Sequence, residues 1–340
     1  MNTKKKNPNN LKQEDIKLLK KELEDNWKIK WKELHQEFSS DEAIEWLKKD
    51  FTYEEVKQWI NKGLKSNEYN LASYLRVSNH SLSEELKQKY YQAQNWLEFN
   101  YPQEKRSKIK ELVITNFNLE GSLKLENFPN LEELYCPNNK LTSLECYGCP
   151  KLKNVLCQRN KLLNLTLENC PNIIKIIGNK NQLTSLNFLQ SLPSEKLEML
   201  NISSNNISDS NLIPFQNFVN LKHLGLGNWY KEIIDQGIYN YFNGSLEPLK
   251  NLINLEELDL AGTDVDSGWE YLPENLQILY LFAKESPESK VKFIVEDLRQ
   301  YGETTKDKHE DNNFGILLVK YRVQVLQIRK NSFYWSRKRN

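Results

Sequence analysis

The sequence predicts an α/β solenoid, a curved array of about eight stacked coils with an α-helical N-terminal region and a helical C-terminal tail. Three observations carry this reading. An apolar frame, L-x-x-L-x-L-x-x-N-x-L, recurs in register as Leu131-Leu134-Cys136-Asn139-Leu141, Leu152-Val155-Cys157-Asn160-Leu162, Ile173-Ile176-Gly178-Asn181-Leu183 and Leu197-Leu200-Ile202-Asn205-Ile207. With looser copies starting at Ile109, Leu221, Leu255 and Leu276, the starts are 21 to 24 residues apart, except for one interval of 34. The frame's asparagine is replaced by Phe117 in the first coil, Lys284 in the last, Trp229 where the long interval begins and Thr263 in the coil after it.

The frame has a direct physical cause. L-x-L gives a short strand with two inward side chains, and the backbone then turns sharply, stranding N–H and C=O groups. A buried amide donates and accepts at once, so Asn139, Asn160, Asn181 and Asn205 are expected to form a ladder joining successive coils. A terminal coil lacks one neighbour to bond, which accounts for Phe117 and Lys284. Thr263 keeps a hydroxyl for part of the task. At Trp229 a loop is expected to interrupt the stacking.

Four segments follow along the chain. Residues 1–10 read as a disordered polar tail. Residues 11–102 read as a helical region, with a stripe from Leu11 through Ile16, Leu19, Leu23, Trp27, Trp31 and Leu34 to Phe38. Three capping-box patterns come next, pairing Ser39 with Glu42, Thr52 with Glu55 and Ser81 with Glu84. Five of the eight tryptophans lie in this region, as expected of a compact helical bundle. Its last helix, carrying Asn95-Trp96-Leu97, is predicted to cover the open end of the solenoid as an N-terminal cap. Residues 103–284 hold the repeats, with an insertion at 229–244, WYKEIIDQGIYNYFNG. Residues 285–340 read as a helical, basic tail. Phe314, Leu317, Leu318, Tyr321, Val325 and Ile328 make a helical stripe there, and seven Lys/Arg face no acid from Phe314 onward.

Composition narrows the function. The formal net charge of +1 selects neither nucleic acid nor an anionic membrane. The N-terminus carries no apolar segment of a secretion signal, so a cytoplasmic or nuclear address is expected, not a secreted one. Cys146-x-x-Cys149 suggests a metal or redox motif, yet all five cysteines align with slots that require a small hydrophobe. Cys136 and Cys157 hold a strand slot, Cys146 aligns with Leu125 and Leu167, and Cys149 and Cys170 align with Phe128. No metal and no cofactor is expected. Phosphate-loop, nucleophile-elbow, zinc-protease and kinase motifs are missing, and His35, His80, His223 and His309 are scattered singly, so no catalytic residue is assigned.

Binding is expected on the concave strand face, where alternation leaves the residues flanking each inward side chain pointing outward. Tyr135, Leu156 and Ile177 occupy one slot in successive coils and should align as an apolar ridge, since folding asks for nothing apolar at a solvated slot. Met199, His223 and Tyr280 extend the candidate surface. Trp229 and Tyr230 of the insertion are also candidates, set against the plainer expectation that aromatic rings fold back and keep the flank dry. The leading reading is a non-enzymatic scaffold that binds a protein partner on the concave face. The alternative is a membrane- or nucleic-acid-associated adaptor acting through the basic tail, and a third is an accessory regulating a kinase in trans.

The repeats resemble the leucine-rich repeat superfamily over about 180 residues. More narrowly, the chain is similar to intracellular fungal leucine-rich repeat proteins with an N-terminal helical module. The strings concerned are Ala93-Gln94-Asn95-Trp96-Leu97 with Tyr101-Pro102, NLEGSLKLENFPNLEELYC, GIYNYFNGSLEPLKNL and SGWEYLPENLQ. The helical string WINKGLKSNEYNLASYLR looks like a module of that set, sometimes found beside protein-kinase domains. The resemblance implies a recognition or signalling role and supplies no catalytic residue.

Overall fold

A computed structural model describes residues 38–208, 210–281 and 289–291, and the backbone of 316–318. The expected N-terminal tail, the stripe ahead of Phe38 and the slot at Lys284 lie outside these residues. The chain divides into two compact units, residues 1–90 and 91–340. The division falls ahead of the Asn95-Trp96-Leu97 helix, which therefore belongs with the repeats.

In the first unit, α1 (Ser40–Lys48), α2 (Tyr53–Asn61), α3 (Tyr69–Ser78) and α4 (Glu84–Tyr91) follow in sequence. Two helix starts are full capping boxes. Ser39 and Thr52 accept the N3 amide through their hydroxyls, and Glu42 and Glu55 accept the cap amides in return. The third differs from expectation. Ser83, not Ser81, is the cap of α4, its hydroxyl accepting the Leu86 N–H at 3.1 Å. The helix opens at Glu84, which leaves Ser81 too far upstream to reach its first amides. Trp46 is the centre of this unit, fully buried, with its indole N–H donated to the Ser66 carbonyl at 2.6 Å and Phe51 edge-on at 5.0 Å. Arg76 lies over the Phe51 ring and donates to the Lys49 and Asp50 carbonyls, satisfying the end of α1. Thr52→Ala removes one of the two cap bonds and is expected to cost this unit about 1 kcal/mol, read as a lowered urea midpoint of its unfolding.

The second unit begins with α5 (Ala93–Asn100), which buries Ala93, Trp96 and Leu97. It lies along β2 (Glu120–Glu126), where the Gln94 side chain accepts the Lys124 N–H at 2.9 Å and Trp96 meets Phe117 edge-on at 5.3 Å. The Phe117 slot, empty of asparagine, is thus packed against this helix. After α6 (Gln103–Arg106), buried Arg106 donates to the Tyr101 and Glu126 carbonyls and to Glu98 at 2.6 Å. That ion pair holds the Glu98 carboxyl below its ordinary value.

The strand face of the coils is one nine-stranded sheet: β1 (Glu111–Val113), β3 (Glu133–Tyr135), β5 (Asn154–Leu156), β7 (Lys175–Ile177), β8 (Met199–Asn201), β9 (His223–Gly225), β11 (Glu257–Asp259), β13 (Ile278–Tyr280) and β14 (Ile316–Leu318). All neighbours are parallel and in register except the last pair. The inward column Leu112, Leu134, Val155, Ile176, Leu200, Leu224, Leu258 and Leu279 is completely or almost completely buried. Opposite it, β2, β4 (Lys140–Tyr147) and β6 (Asn164–Glu168) form a second parallel sheet. In later coils a parallel pair, β10 (Asn243–Ser245) and β12 (Asp264–Ser267), is joined by short 3-10 turns at Asn187–Ser191, Ile213–Phe215, Glu247–Leu249 and Trp269–Tyr271.

The described piece of the tail departs from the helical stripe expected from Phe314 to Ile328. Ile316–Leu318 is a strand antiparallel to β13. The last coil of a parallel stack leaves a row of unpaired N–H and C=O groups, and a returning segment supplies their partners. Helical spacing at 314–328 does not reveal that demand. The rest of the stripe lies outside the described residues.

The ladder binds coil to coil. Each amide donates to the carbonyl three residues back in its own coil and to its counterpart in the preceding coil, and accepts an N–H from the preceding coil. Asn139 bonds Ile114 O, Cys136 O and Leu119 N; Asn160 bonds Cys136 O, Cys157 O and Leu141 N. Asn181 bonds Cys157 O, Gly178 O and Leu162 N; Asn205 bonds Gly178 O, Ile202 O and Leu183 N. The residue before each slot (Asn116, Asn138, Arg159, Lys180 and Ser204) has φ of 54 to 62°. The same left-handed turn is therefore imposed in five coils, even on arginine and lysine, which disfavour it.

Stacking is not interrupted at the insertion, contrary to expectation. Asn240 takes up the ladder, donating to Ile202 O at 2.9 Å and Leu226 O at 3.0 Å and accepting Ile207 N–H at 3.2 Å. Residues 229–239 loop out, and the frame resumes at Asn240 with Phe242 in the leucine slot, fully buried. Thr263 does half the task, its hydroxyl donating to Leu260 O within its own coil.

A second asparagine ladder was not anticipated. Just before each frame, Asn130, Asn172, Asn220, Asn254 and Asn275 donate to carbonyls of the preceding coil, at Ser107, Pro150, Glu195, Val219 and Ile253. Where this slot holds Lys151 or Lys196, the ammonium reaches the asparagine one coil back.

Candidate functional site

Parallel registration turns each strand position into a column across the strand face. The central outward column runs Val113, Tyr135, Leu156, Ile177, Asn201, Gly225, Asp259 and Tyr280. Its first four members are apolar or aromatic neighbours on successive strands, so the expected ridge is one coil longer than the sequence suggested. Val113 is 47% exposed, and the other three are half-buried. Tyr135 is anchored, its hydroxyl donating to Glu133 at 2.8 Å, and that bond to a carboxylate pushes the phenol up.

The column beside it holds Glu133, Asn154, Lys175, Met199, His223, Glu257 and Ile278. Met199 and His223 are therefore neighbours on paired strands. His223 Nδ1 lies 3.0 Å from a Glu257 carboxylate oxygen.

Past Ile177 the floor changes character, and the cause is two glycines. A Cβ on Gly225 would sit 2.8 to 2.9 Å from the Asn201 amide, and one on Gly227 would collide with the Asp259 carboxylate. The missing side chains let Asn201 and Asp259 lean across from neighbouring strands. Asp259 is 7% exposed and accepts the Trp229 indole N–H at 2.6 Å, the Ser203 hydroxyl at 2.9 Å and the Ala261 N–H at 3.0 Å. Burial raises its carboxyl above the ordinary aspartate value, opposed by these donors and by the Gly227 amide. Trp229 also stands edge-on to Tyr280 at 5.5 Å, and its backbone N–H donates to the Ser204 hydroxyl at 3.2 Å.

The insertion is thereby pinned back along the strand face. Tyr230 follows Trp229 and lies beneath the Lys180 ammonium, 3.0 Å from the ring centroid, two coils upstream. The short helix α7 (Lys231–Ile234) and the tilted ring pair Tyr239 and Tyr241, with centroids 4.2 Å apart, complete it. The candidates thus fall into two groups. Tyr135, Leu156 and Ile177 form the ridge, with Met199 and His223 beside it; Trp229, Tyr230 and Tyr280 gather around the buried carboxylate. Sequence reasoning missed Asp259, Ser203 and Lys180, although Gly225-x-Gly227 in a column of larger residues was a usable signal that something leans in from next door.

All five cysteines are free thiols in the core, in the slots aligned for them. Among the described residues no helix is long and apolar enough to cross a membrane. An open cleft of about 530 Å³ lies off the strand face, on the turns entering the strands, lined by Lys153, Ile174 and Lys222 with ladder residues Asn172, Asn220 and Asn254.

No family model matches the chain. Similar solved structures include the plant peptide hormone receptor RGFR1 in complex with RGF2, at 16% identity over 53% of this chain and 33% of that one, with a TM-score of 0.38. An internalin (inlF) from Listeria monocytogenes is 16% identical over 48% of this chain and 51% of its own, with a TM-score of 0.34. Internalin C2 from the same organism is 20% identical, covering 48% and 76%, with a TM-score of 0.32. The chain spans about a third of the receptor and half of the first internalin. On its own parallel register and asparagine ladder, the second unit is a leucine-rich repeat solenoid.

Proposed function

We propose that the repeat unit is a non-enzymatic protein-interaction scaffold whose partner lies on the concave strand face. The observation that carries this reading is the column Val113, Tyr135, Leu156 and Ile177. Four apolar or aromatic side chains stand in file on an outward slot, where packing requires none and where soluble surfaces keep contiguous apolar area small. Further along the same column, past Asn201, Gly225 and Asp259, stands Tyr280 with Trp229 edge-on to it, aromatic residues of the type that dominate interface energetics. The resemblance to intracellular fungal leucine-rich repeat proteins, through strings such as GIYNYFNGSLEPLKNL, supports a partner in intracellular signalling.

Leu156→Asp with Ile177→Asp puts two carboxylates in the ridge while leaving the inward column intact. Affinity capture from the native cell with chemical cross-linking is expected to lose its specific partner, with circular dichroism and the urea midpoint close to wild type. Capture equal to wild type by a folded double variant removes the ridge as the binding surface.

A further inference from the structure

We propose that Cys149 and Cys170 form a redox-modification site, a buried dithiol that a hydroperoxide converts to a disulfide joining two successive coils.

The two residues occupy one position in neighbouring coils. The residue ahead of each, Gly148 and Asn169, is left-handed with φ of 62 and 54°, as is Asn127 ahead of Phe128 one coil earlier at 64°. The Gly148 N–H donates to the Glu168 carbonyl at 2.9 Å, continuing the β4–β6 ladder in which Tyr147 faces Glu168. Two residues beyond that pair, the same register sets Cys149 opposite Cys170, and in-register neighbours of a parallel ladder lie about 4.8 Å apart. Disulfides span Cα separations of roughly 4.4 to 6.8 Å. The Cys149 sulfur lies 3.9 Å from Tyr147 O, and the Cys170 sulfur lies 3.5 Å from Glu168 O and 3.8 Å from Cys146 O. Pairing with Cys149 holds the Cys170 thiol below its ordinary value. A phenylalanine fills this slot in the preceding coil, so apolar filling alone does not call for thiols in two successive coils.

Access separates this pair from the other stacked one. Cys149 and Cys170 are buried, but each is flanked by exposed residues: Gly148 and Pro150, and Asn169 and Pro171. Local opening of a surface turn uncovers them without unfolding a strand. Cys136 and Cys157 also face each other across coils, but they immediately follow β3 and β5 and no residue flanking either of them is exposed. Burial pushes both of these thiols up; Cys149 is pushed up as well, by its pairing with Cys170 and then by burial.

The chemistry balances with a hydroperoxide as oxidant. One sulfur, as thiolate, attacks the peroxide oxygen and breaks the O–O bond; the departing oxygen takes up a proton and leaves as water or an alcohol. The second sulfur attacks the resulting sulfenic acid, forming S–S and releasing water. Two electrons pass from the thiols to the peroxide. The new bond closes a loop from residue 149 to 170, which constrains the unfolded chain and raises the thermal midpoint by roughly 5 °C.

The test uses the reduced full-length chain, hydrogen peroxide, alkylation under denaturing conditions and peptide mass mapping. The expected product has lost two hydrogens, carries a 149–170 linkage and keeps the other three of its five cysteines alkylated. Dithiothreitol reverses it, and the thermal midpoint rises and falls with it. Cys149→Ser and Cys170→Ser each abolish the linkage. The proposal is overturned if all five thiols remain alkylated, if the bridge maps to 136–157 or 146–170, or if a sulfinic acid accumulates at 149 or 170 without a bridge. Wild-type mapping decides the matter even where a serine variant folds poorly.

Discussion

Replacing Asn240 by leucine is expected to cost the repeat unit about 3–5 kcal/mol, more than any other single change in the insertion. The side chain is 1% exposed and makes three bonds, to Ile202 O, Leu226 O and Ile207 N. Leucine fills similar volume, so the loss comes from Leu226 O and Ile207 N–H left buried without partners, each worth about 1–3 kcal/mol before relaxation, while Ile202 O keeps its bond from Asn205. Thr263→Val is the contrasting case. Its hydroxyl bonds only Leu260 O of its own coil, so about 1 kcal/mol is expected. Urea midpoints give the totals. Amide exchange at Ile207 and at neighbouring coils shows whether the break stays local, as nearest-neighbour stacking predicts. A loss for Asn240→Leu no greater than that for Thr263→Val would mean that the coils do not depend on Asn240.

Why Asn240 escaped the sequence explains what was legible. The ladder at Asn139, Asn160, Asn181 and Asn205 could be read because each lies three residues after the second strand leucine or its substitute, a spacing set by backbone geometry. The insertion breaks the spacing but not the geometry. The turn still needs an amide, and the chain supplies one after an excursion whose length nothing constrains. Asn240-Tyr241-Phe242 spells the end of the frame and could have been found by searching for where the pattern resumes. The second ladder at Asn130, Asn172, Asn220, Asn254 and Asn275 was visible but unread, because exposed asparagine before an apolar residue has many causes. The strand at Ile316–Leu318 was out of reach, since its cause is an unpaired edge more than thirty residues away. The ridge was legible because strand alternation fixes it. The Asp259 cluster was not, because it joins β8, β11 and the insertion through side chains whose meeting depends on two absent Cβ atoms.

Asp259→Ala is expected to cost about 2–4 kcal/mol and, separately, to release the insertion from the strand face. Three donors converge on this carboxylate, from Trp229, Ser203 and Ala261, with the Gly227 amide as a fourth. Alanine leaves them facing a small cavity. Trp229→Phe is milder, about 1–1.5 kcal/mol for one bond to a charged acceptor, since a ring of similar shape can keep the edge contact with Tyr280. If the pair acts as a latch, the double variant costs less than the sum of the singles, because removing either partner already frees the tryptophan. Limited proteolysis at Lys231 gives an independent reading. Cleavage should accelerate in both single variants and no further in the double. Tyr230 should also leave Lys180, so Lys180 becomes as reactive toward acylating reagents as an ordinary surface lysine, ending the desolvation that now holds its ammonium below the usual range. Additive losses with unchanged cleavage would show instead that Trp229 and Asp259 serve the coils separately, and that the insertion is held by its aromatic contacts alone.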